Sequence, residues 1–216
     1  HNGNDKFSYK GLAYKAHLFR KKKNLDSAMV LANKAYDIAK KYNNLSEIAN
    51  VYNVYGTIYE QLNQSNKAAE YYQKALKLSS TIKNKKEMLS AYLHLGINCK
   101  KTEDITNALK YLLEAIKISE DINDSSSMFT ININLGSIYE RTKDNKKAFE
   151  CYRKALKINE TNKDENDKAI CYYKLGKLFH KERQIDSAKK YLMETLKIHE
   201  KRNDKEGLIM DYANIG

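Results

Sequence analysis

Five of the eight glycines stand forty residues apart, at Gly56, Gly96, Gly136, Gly176 and Gly216. So regular a lattice makes the chain a repeat array, in which each unit packs on its neighbours, rather than a body folded about one closed core. Two more columns keep the same register. Twelve residues after each glycine comes an alanine, Ala68, Ala108, Ala148 and Ala188, matched by Ala28 in a first unit that has Ala16 in the glycine place. Seven further on stand Ala35, Ala75, Ala115 and Ala155, with Thr195 as the exception. The units accordingly run 7–46, 47–86, 87–126, 127–166 and 167–206, with a fragment from 207 to 216 and residues 1–6 left over as a leader or a cloning scar.

Apolar residues inside the units recur at helical spacing, as in Ala49, Tyr52, Tyr55, Gly56 and Tyr59, and the chain contains no proline. Each unit is therefore expected to be a pair of antiparallel helices. A glycine inside a helix costs about 1 kcal/mol relative to alanine, so its return in every later unit predicts a place where a side chain would strike the neighbouring helix. The column three residues on, Phe19, Tyr59, Cys99, Tyr139 and Phe179, is expected to fill the space beside it. Short polar stretches separate the helices. Asp26, Asn66, Thr106 and Asp186 are the expected N-caps of the second helices, with Asp144 or Asn145 serving in the fourth unit; Asn44, Asn84, Asp124, Asp164 and Asp204 would cap the first helices.

These columns resemble the tetratricopeptide repeat: the Leu-Gly pairs Leu95-Gly96, Leu135-Gly136 and Leu175-Gly176, an aromatic residue three later, and the two alanines of the second helix. The proline that usually closes the unit is absent, its column holding Lys40, Ser80, Glu120, Glu160 and Glu200, and the period is 40 rather than 34. Both departures fit a second helix extended by a turn or more, as in the longer-helix subgroup of bacterial sensor kinases, peptide-sensing regulators and transcription regulators. The resemblance implies an all-α fold, a right-handed solenoid of five full repeats and the first helix of a sixth, whose concave face is lined by the first helices. Carried onto this chain, the binding face comprises Tyr14, His17, Asn53, Thr57, Leu93, His94, Ile97, Lys101, Asn134, Ser137, Arg141, Tyr173, Lys177 and Lys181, with Gly56, Gly96, Gly136, Gly176, Ala68, Ala108, Ala148 and Ala188 as structural positions. The set does not reproduce the two-carboxylate clamp of chaperone-binding members, since units two to four offer Asn53 and Thr57, His94, then Thr130 and Asn134.

Catalytic motifs are missing. The glycines are single rather than clustered around a phosphate, and no GxSxG or HExxH occurs, so the chain reads as a non-enzyme with no cofactor and no metal. Cys99, Cys151 and Cys171 have no disulfide or zinc spacing and read as small buried residues; unpaired thiols favour the cytoplasm, with an extracytoplasmic sensor domain as the alternative. The net charge of +12 is uneven: nine cations face two anions in the first unit, four face seven in the third and eleven face seven in the fifth. An acidic middle between basic ends is not the continuous stripe that nucleic acid needs, whereas a cationic field suits an acidic protein or peptide. No apolar run is long enough to span a membrane. The expected function is a protein- or peptide-binding scaffold, the sensing or interaction region of a larger bacterial signalling or transcriptional regulator. The alternatives are a nucleic-acid-binding helical surface and self-association through the apolar segment on which the chain stops.

Overall fold

A computed structural model describes residues 5–215. They form eleven α-helices: α1 (Asp5–Lys21), α2 (Leu25–Lys41), α3 (Leu45–Gln61), α4 (Ser65–Thr81), α5 (Lys85–Lys101), α6 (Ile105–Asp121), α7 (Ser125–Arg141), α8 (Asn145–Asn162), α9 (Glu165–Lys181), α10 (Ile185–Arg202) and α11 (Lys205–Ile215). Gly216, the last rung of the ladder, lies outside the described residues. Two compact units divide the chain, residues 1–122 with α1–α6 and residues 123–216 with α7–α11. Each is a stack of helical hairpins. In the first unit α1 packs on α2, α3 on α4 and α5 on α6, and the first helices α1, α3 and α5 also touch in sequence. In the second, α7 packs on α8, α9 on α10, and α11 on α10.

The joints are shorter than the polar stretches suggest. Ten non-glycine residues spaced twenty apart, from Lys23 through Asn43, Asn63, Lys83 and Glu103 to Arg183 and Asn203, adopt left-handed backbone with φ between 48° and 66°. Each turns the chain out of one helix, and at most joints the next residue's N–H reaches back to a backbone carbonyl, as Asn44 N–H does to Ala39 O at 2.8 Å and Gln184 N–H to Phe179 O at 2.9 Å; Asp164 N–H reaches the Asn159 side chain instead. That same residue then caps the following helix. Asn24, Asp104 and Asp144 accept from the backbone N–H of Ser27, Asn107 and Lys147 at the starts of α2, α6 and α8. The caps expected at Asp26, Asn66, Thr106 and Asp186 therefore stand two residues too late: these side chains lie within the first helical turn, and Gln64 and Gln184 occupy the true cap positions of α4 and α10 without a side-chain cap bond. Before the first helices the cap column holds as read: Asn44, Asn84, Asp124, Asp164 and Asp204 all accept from the opening turn. First and second helices have the same 17 residues in most hairpins, so the added length is not confined to the second helix.

The glycines form notches. A Cβ at Gly56 would come 2.3 Å from the Tyr72 ring, at Gly136 2.4 Å from Tyr152, at Gly96 2.6 Å from Leu112 Cγ and at Gly176 2.9 Å from Leu192 Cγ. The residue that fills the notch thus comes from the second helix, sixteen positions on, and not from the aromatic column. That column stacks one place away, Tyr59 on Tyr71 and Phe179 on Tyr191, with ring centroids 5.3 Å apart in both pairs. In the first hairpin Ala16 and Ala32, both wholly buried, replace glycine and the large side chain, so that two small residues meet where the other hairpins set a large one into a notch. Ala68, Ala108 and Ala148 are likewise without exposure, and Ala188 nearly so. Thr195 is tolerated in its alanine column because its hydroxyl donates to Tyr191 O at 3.1 Å. Cys151 and Cys171 are buried free thiols, but Cys99 is only half-buried, since its column faces the aromatic stack rather than the notch.

Candidate functional site

The first helices α1, α3 and α5 of the first unit enclose a groove. One part, of 470 Å³, is lined by Tyr14, His17 and Arg20 from α1, Asn53, Val54 and Thr57 from α3, and Lys86, Ser90 and His94 from α5. A second part, of 430 Å³, shares Arg20, Thr57 and His94 and continues along Glu60, Asn63, Ile97 and Lys101. The helical period puts these residues on one face: Asn53, Thr57 and Glu60 are spaced four and three apart, as are Ser90, His94, Ile97 and Lys101.

The groove's floor is polar and tightly held. Asn53, only 4% exposed, donates through Nδ2 to Glu87 O at 3.2 Å and to Glu87 Oε2 at 3.0 Å. Burial raises the Glu87 carboxyl above the usual carboxylate range, while that amide and the nearby Lys86 pull it back. Thr57 turns its hydroxyl inward to Val54 O at 2.8 Å. Tyr72, seated in the Gly56 notch, donates to Glu60 Oε2 at 2.8 Å, and the His94 imidazole stacks on the Tyr72 ring with centroids 5.1 Å apart. Burial first, and then the positive charges of Arg20 and His17, push His94 down to about 4, so the ring is neutral at pH 7. His17 is lowered for related reasons, by burial and by Arg20 and Lys21. Three buried polar atoms of this groove have no hydrogen-bond partner: Arg20 Nε, Asn53 Oδ1 and His94 Nδ1. Native interiors leave few such atoms, and each one costs about 1–3 kcal/mol unless a ligand or water satisfies it.

Of the binding residues expected from the sequence, the structure brings seven to this groove: Tyr14, His17, Asn53, Thr57, His94, Ile97 and Lys101. Leu93, one residue from His94 and half-buried, is not among its lining. The six in the second unit line neither of two hollows there, of 510 and 430 Å³. Asn134 is buried and donates to Thr130 O, Ser137 donates to Ile133 O, and Arg141 is exposed at the end of α7. On α9, Lys177 Nζ lies 5.5 Å from the Tyr173 ring centroid, and Lys181 donates to Glu140 O at 3.1 Å. Asn50, Ser90 and Lys86 are groove residues that the expected set omitted. Asn50 and Ser90 share one place in the forty-residue register and could have been found by carrying that place through every unit. Lys86 stands four residues before Ser90 on the same face of α5, one residue ahead of the third unit as the sequence divides it, and the helical period could have found it. A separate hollow of 510 Å³ in the second unit, lined by Phe149, Arg153, Phe179 and Glu182 among others, contains none of the expected residues. Among the described residues no three His, Cys, Asp or Glu side chains are placed to share a metal ion, and no helix is long and apolar enough to cross a membrane.

The sequence profile of the tetratricopeptide repeat matches residues 11–81, 87–160 and 127–201. No curated protein matches the chain by sequence. Among solved structures, the fold is similar to BtubC (BKLC) from P. vanneervenii, with TM-score 0.79 and 20% identity over 90% of this chain and 80% of that one. It is similar to the signal transduction ATPase with numerous domains (STAND) protein PH0952 from Pyrococcus horikoshii, which has a tetratricopeptide repeat sensor: TM-score 0.84 and 19% identity over 94% of this chain and 31% of that one. It is also similar to a Rap protein complexed with Competence and Sporulation Factor, with TM-score 0.79 and 17% identity over 94% of this chain and 57% of that one.

Proposed function

Because the chain belongs to the tetratricopeptide repeat family, we propose that it is a peptide-binding scaffold whose groove along α1, α3 and α5 holds an extended segment of a protein partner. The observation that carries this reading is the trio of buried, partnerless polar atoms in that groove, Arg20 Nε, Asn53 Oδ1 and His94 Nδ1. An extended backbone supplies a donor and an acceptor at every residue, which is what such a floor lacks. Tyr14, Val54 and Ile97 provide apolar contact along the same path. The fold shared with a Rap protein bound to Competence and Sporulation Factor, and with the repeat sensor of a STAND protein, supports a sensing or interaction role within a larger bacterial signalling or transcriptional regulator.

The test is selection of decapeptides from a displayed random library on the full chain, followed by calorimetric titration of the winners. Asn53→Ala and Tyr14→Ala are expected to weaken binding about tenfold, the scale of a central interface contact, with helicity unchanged. Winners indifferent to both substitutions, or a selection without winners, refute the groove.

A further inference from the structure

We infer that the corner of this groove formed by Arg20 and His94 is a carboxylate subsite, taking either an acidic side chain or the free C-terminus of the bound segment; the inference rests on the peptide-groove reading. The Arg20 guanidinium is steadied at its far edge. Nη2 lies 3.3 Å from His17 Nδ1, and the Gln61 amide, turned so that its nitrogen donates to Arg20 O, accepts from Nη1 at 3.2 Å. The Nε edge is the part left over, buried and without a partner. Across the corner His94 Nδ1 is also buried and without a hydrogen bond. In the tautomer protonated at Nδ1 it donates, so a ligand that satisfies both atoms, from residues lining both parts of the groove, must accept from both. A carboxylate has that geometry, with two oxygens and spare lone pairs on each.

Charge points the same way. No ion pair ties Arg20 to a carboxylate among the described residues. Of the residues lining the two parts of the groove, only Glu60 is anionic, against Arg20, Lys86 and Lys101. Glu60 is already engaged: its Oε2 accepts from Tyr72 and stands 3.9 Å from His94 Nδ1, beyond hydrogen-bond reach. It therefore sets the corner's depth without filling it. Stacking on Tyr72 holds the imidazole in place, which lowers the entropic cost of presenting it. Lys86 and Lys101, in separate parts of the groove, would draw an acidic segment in before the corner closes on one carboxylate.

The experiment uses the full chain and fluorescein-labelled decapeptide pools, each fixing one position as Glu, Gln or Lys with an amidated C-terminus, and one Gln-fixed pool with a free C-terminus. Anisotropy is expected to show at least one Glu-fixed pool, or the free-acid pool, binding about tenfold more tightly than its Gln-fixed amide counterpart, the discrimination of one charge-assisted pair. Which arm wins identifies the source of the carboxylate. Arg20→Gln is expected to abolish the preference, Arg20→Glu to turn it toward the Lys-fixed pools, and Glu60→Gln to strengthen it. Thermal melts of all three variants establish that they fold. Equal binding of Glu and Gln pools overturns the subsite while leaving the peptide groove standing, as does a preference that survives Arg20→Gln in a folded variant. If no pool binds, both readings fall.

Discussion

The hairpins α3–α4 and α7–α8 are built to one plan in the two units. Each sets a tyrosine of the second helix into a glycine notch and ties its hydroxyl to a glutamate of the first helix: Tyr72 to Glu60 at 2.8 Å, Tyr152 to Glu140 at 3.0 Å. What differs is the neighbourhood. Over Tyr72 lies His94, neutral and with a partnerless nitrogen, whereas the corresponding place eighty residues on is Lys174. Burial lowers Lys174, the Glu140 charge raises it and Lys177 lowers it again. The second hairpin is also more self-satisfied, since the Tyr152 hydroxyl lies 3.4 Å from Ser137 Oγ and Lys181 takes the carbonyl of Glu140. The notch fixes where an aromatic ring and a carboxylate will stand. The residue supplied by the next hairpin decides whether that arrangement is closed structure or an open polar corner.

The largest expected effect breaks the shared part of the plan. Gly56→Leu and Gly136→Leu should each destabilise by roughly 2–3 kcal/mol or more, the upper range for overpacking, because a Cβ alone would already overlap a wholly buried ring. Thermal unfolding by circular dichroism measures it. The Ala16–Ala32 hairpin shows how the clash can be relieved, so Gly56→Ala should cost much less in a Tyr72→Ala background than alone; additive losses would mean that the notch is not where the two helices meet.

The second effect separates the hairpins by pH. His94 sits at about 4 when folded against roughly 6.5 when unfolded, so the folded state takes up its proton less readily. Its contribution is present in full above the unfolded value and is lost as pH falls from about 6.5 to 4, by about 1–3 kcal/mol. Denaturant unfolding at pH 7 and pH 5 should show a loss in the native chain that His94→Asn reduces. Lys174→Asn should leave the pH 5 to 7 slope unchanged, because lysine stays protonated across that window.

A smaller effect concerns the two carboxylates. Glu140→Gln removes a charge that favours protonated Lys174 and also weakens the Tyr152 bond, so it should cost about 1 kcal/mol or more. Glu60→Gln removes only the charge-assisted bond to Tyr72 beside a neutral imidazole and should cost less, a ranking read from paired urea titrations. The smallest expected change is a gain. Arg183 and Lys143 hold left-handed backbone with φ of 59° and 62°, and glycine there should stabilise by about 0.5–1 kcal/mol, the strain relieved exceeding the entropy lost. Asn63→Gly, at φ 57°, should gain less, because asparagine tolerates that conformation.

Much of the fold was legible because its constraints are steric and periodic. A glycine every forty residues inside a helical pattern admits few explanations other than a close approach, and the alanine columns mark the same seam. The joints were read two residues late before four of the five second helices, because the left-handed residues there are Lys23, Asn63, Glu103 and Arg183, of which only asparagine favours a positive φ; before α8, Asp144 was one of the two expected caps. The ring filling the notch was also misplaced: Tyr71 and Tyr72 are adjacent in sequence, and only the helix-to-helix angle decides which enters the notch and which stacks on Tyr59. In the groove, Asn53, Thr57 and His94 were expected from the family resemblance carried onto the register, whereas the contacts of Arg20 and Tyr72 were not.

By itself the sequence determined the repeat, its length, the all-helical class and the faces that turn inward, since these depend on spacing along one chain. The tertiary structure alone decided that Arg20 of α1, Asn53 of α3 and His94 of α5 share one groove with unsatisfied polar atoms. The reason is physical: a partner is missing only relative to everything packed around an atom, and that inventory is assembled by residues drawn from three hairpins rather than by any stretch of sequence.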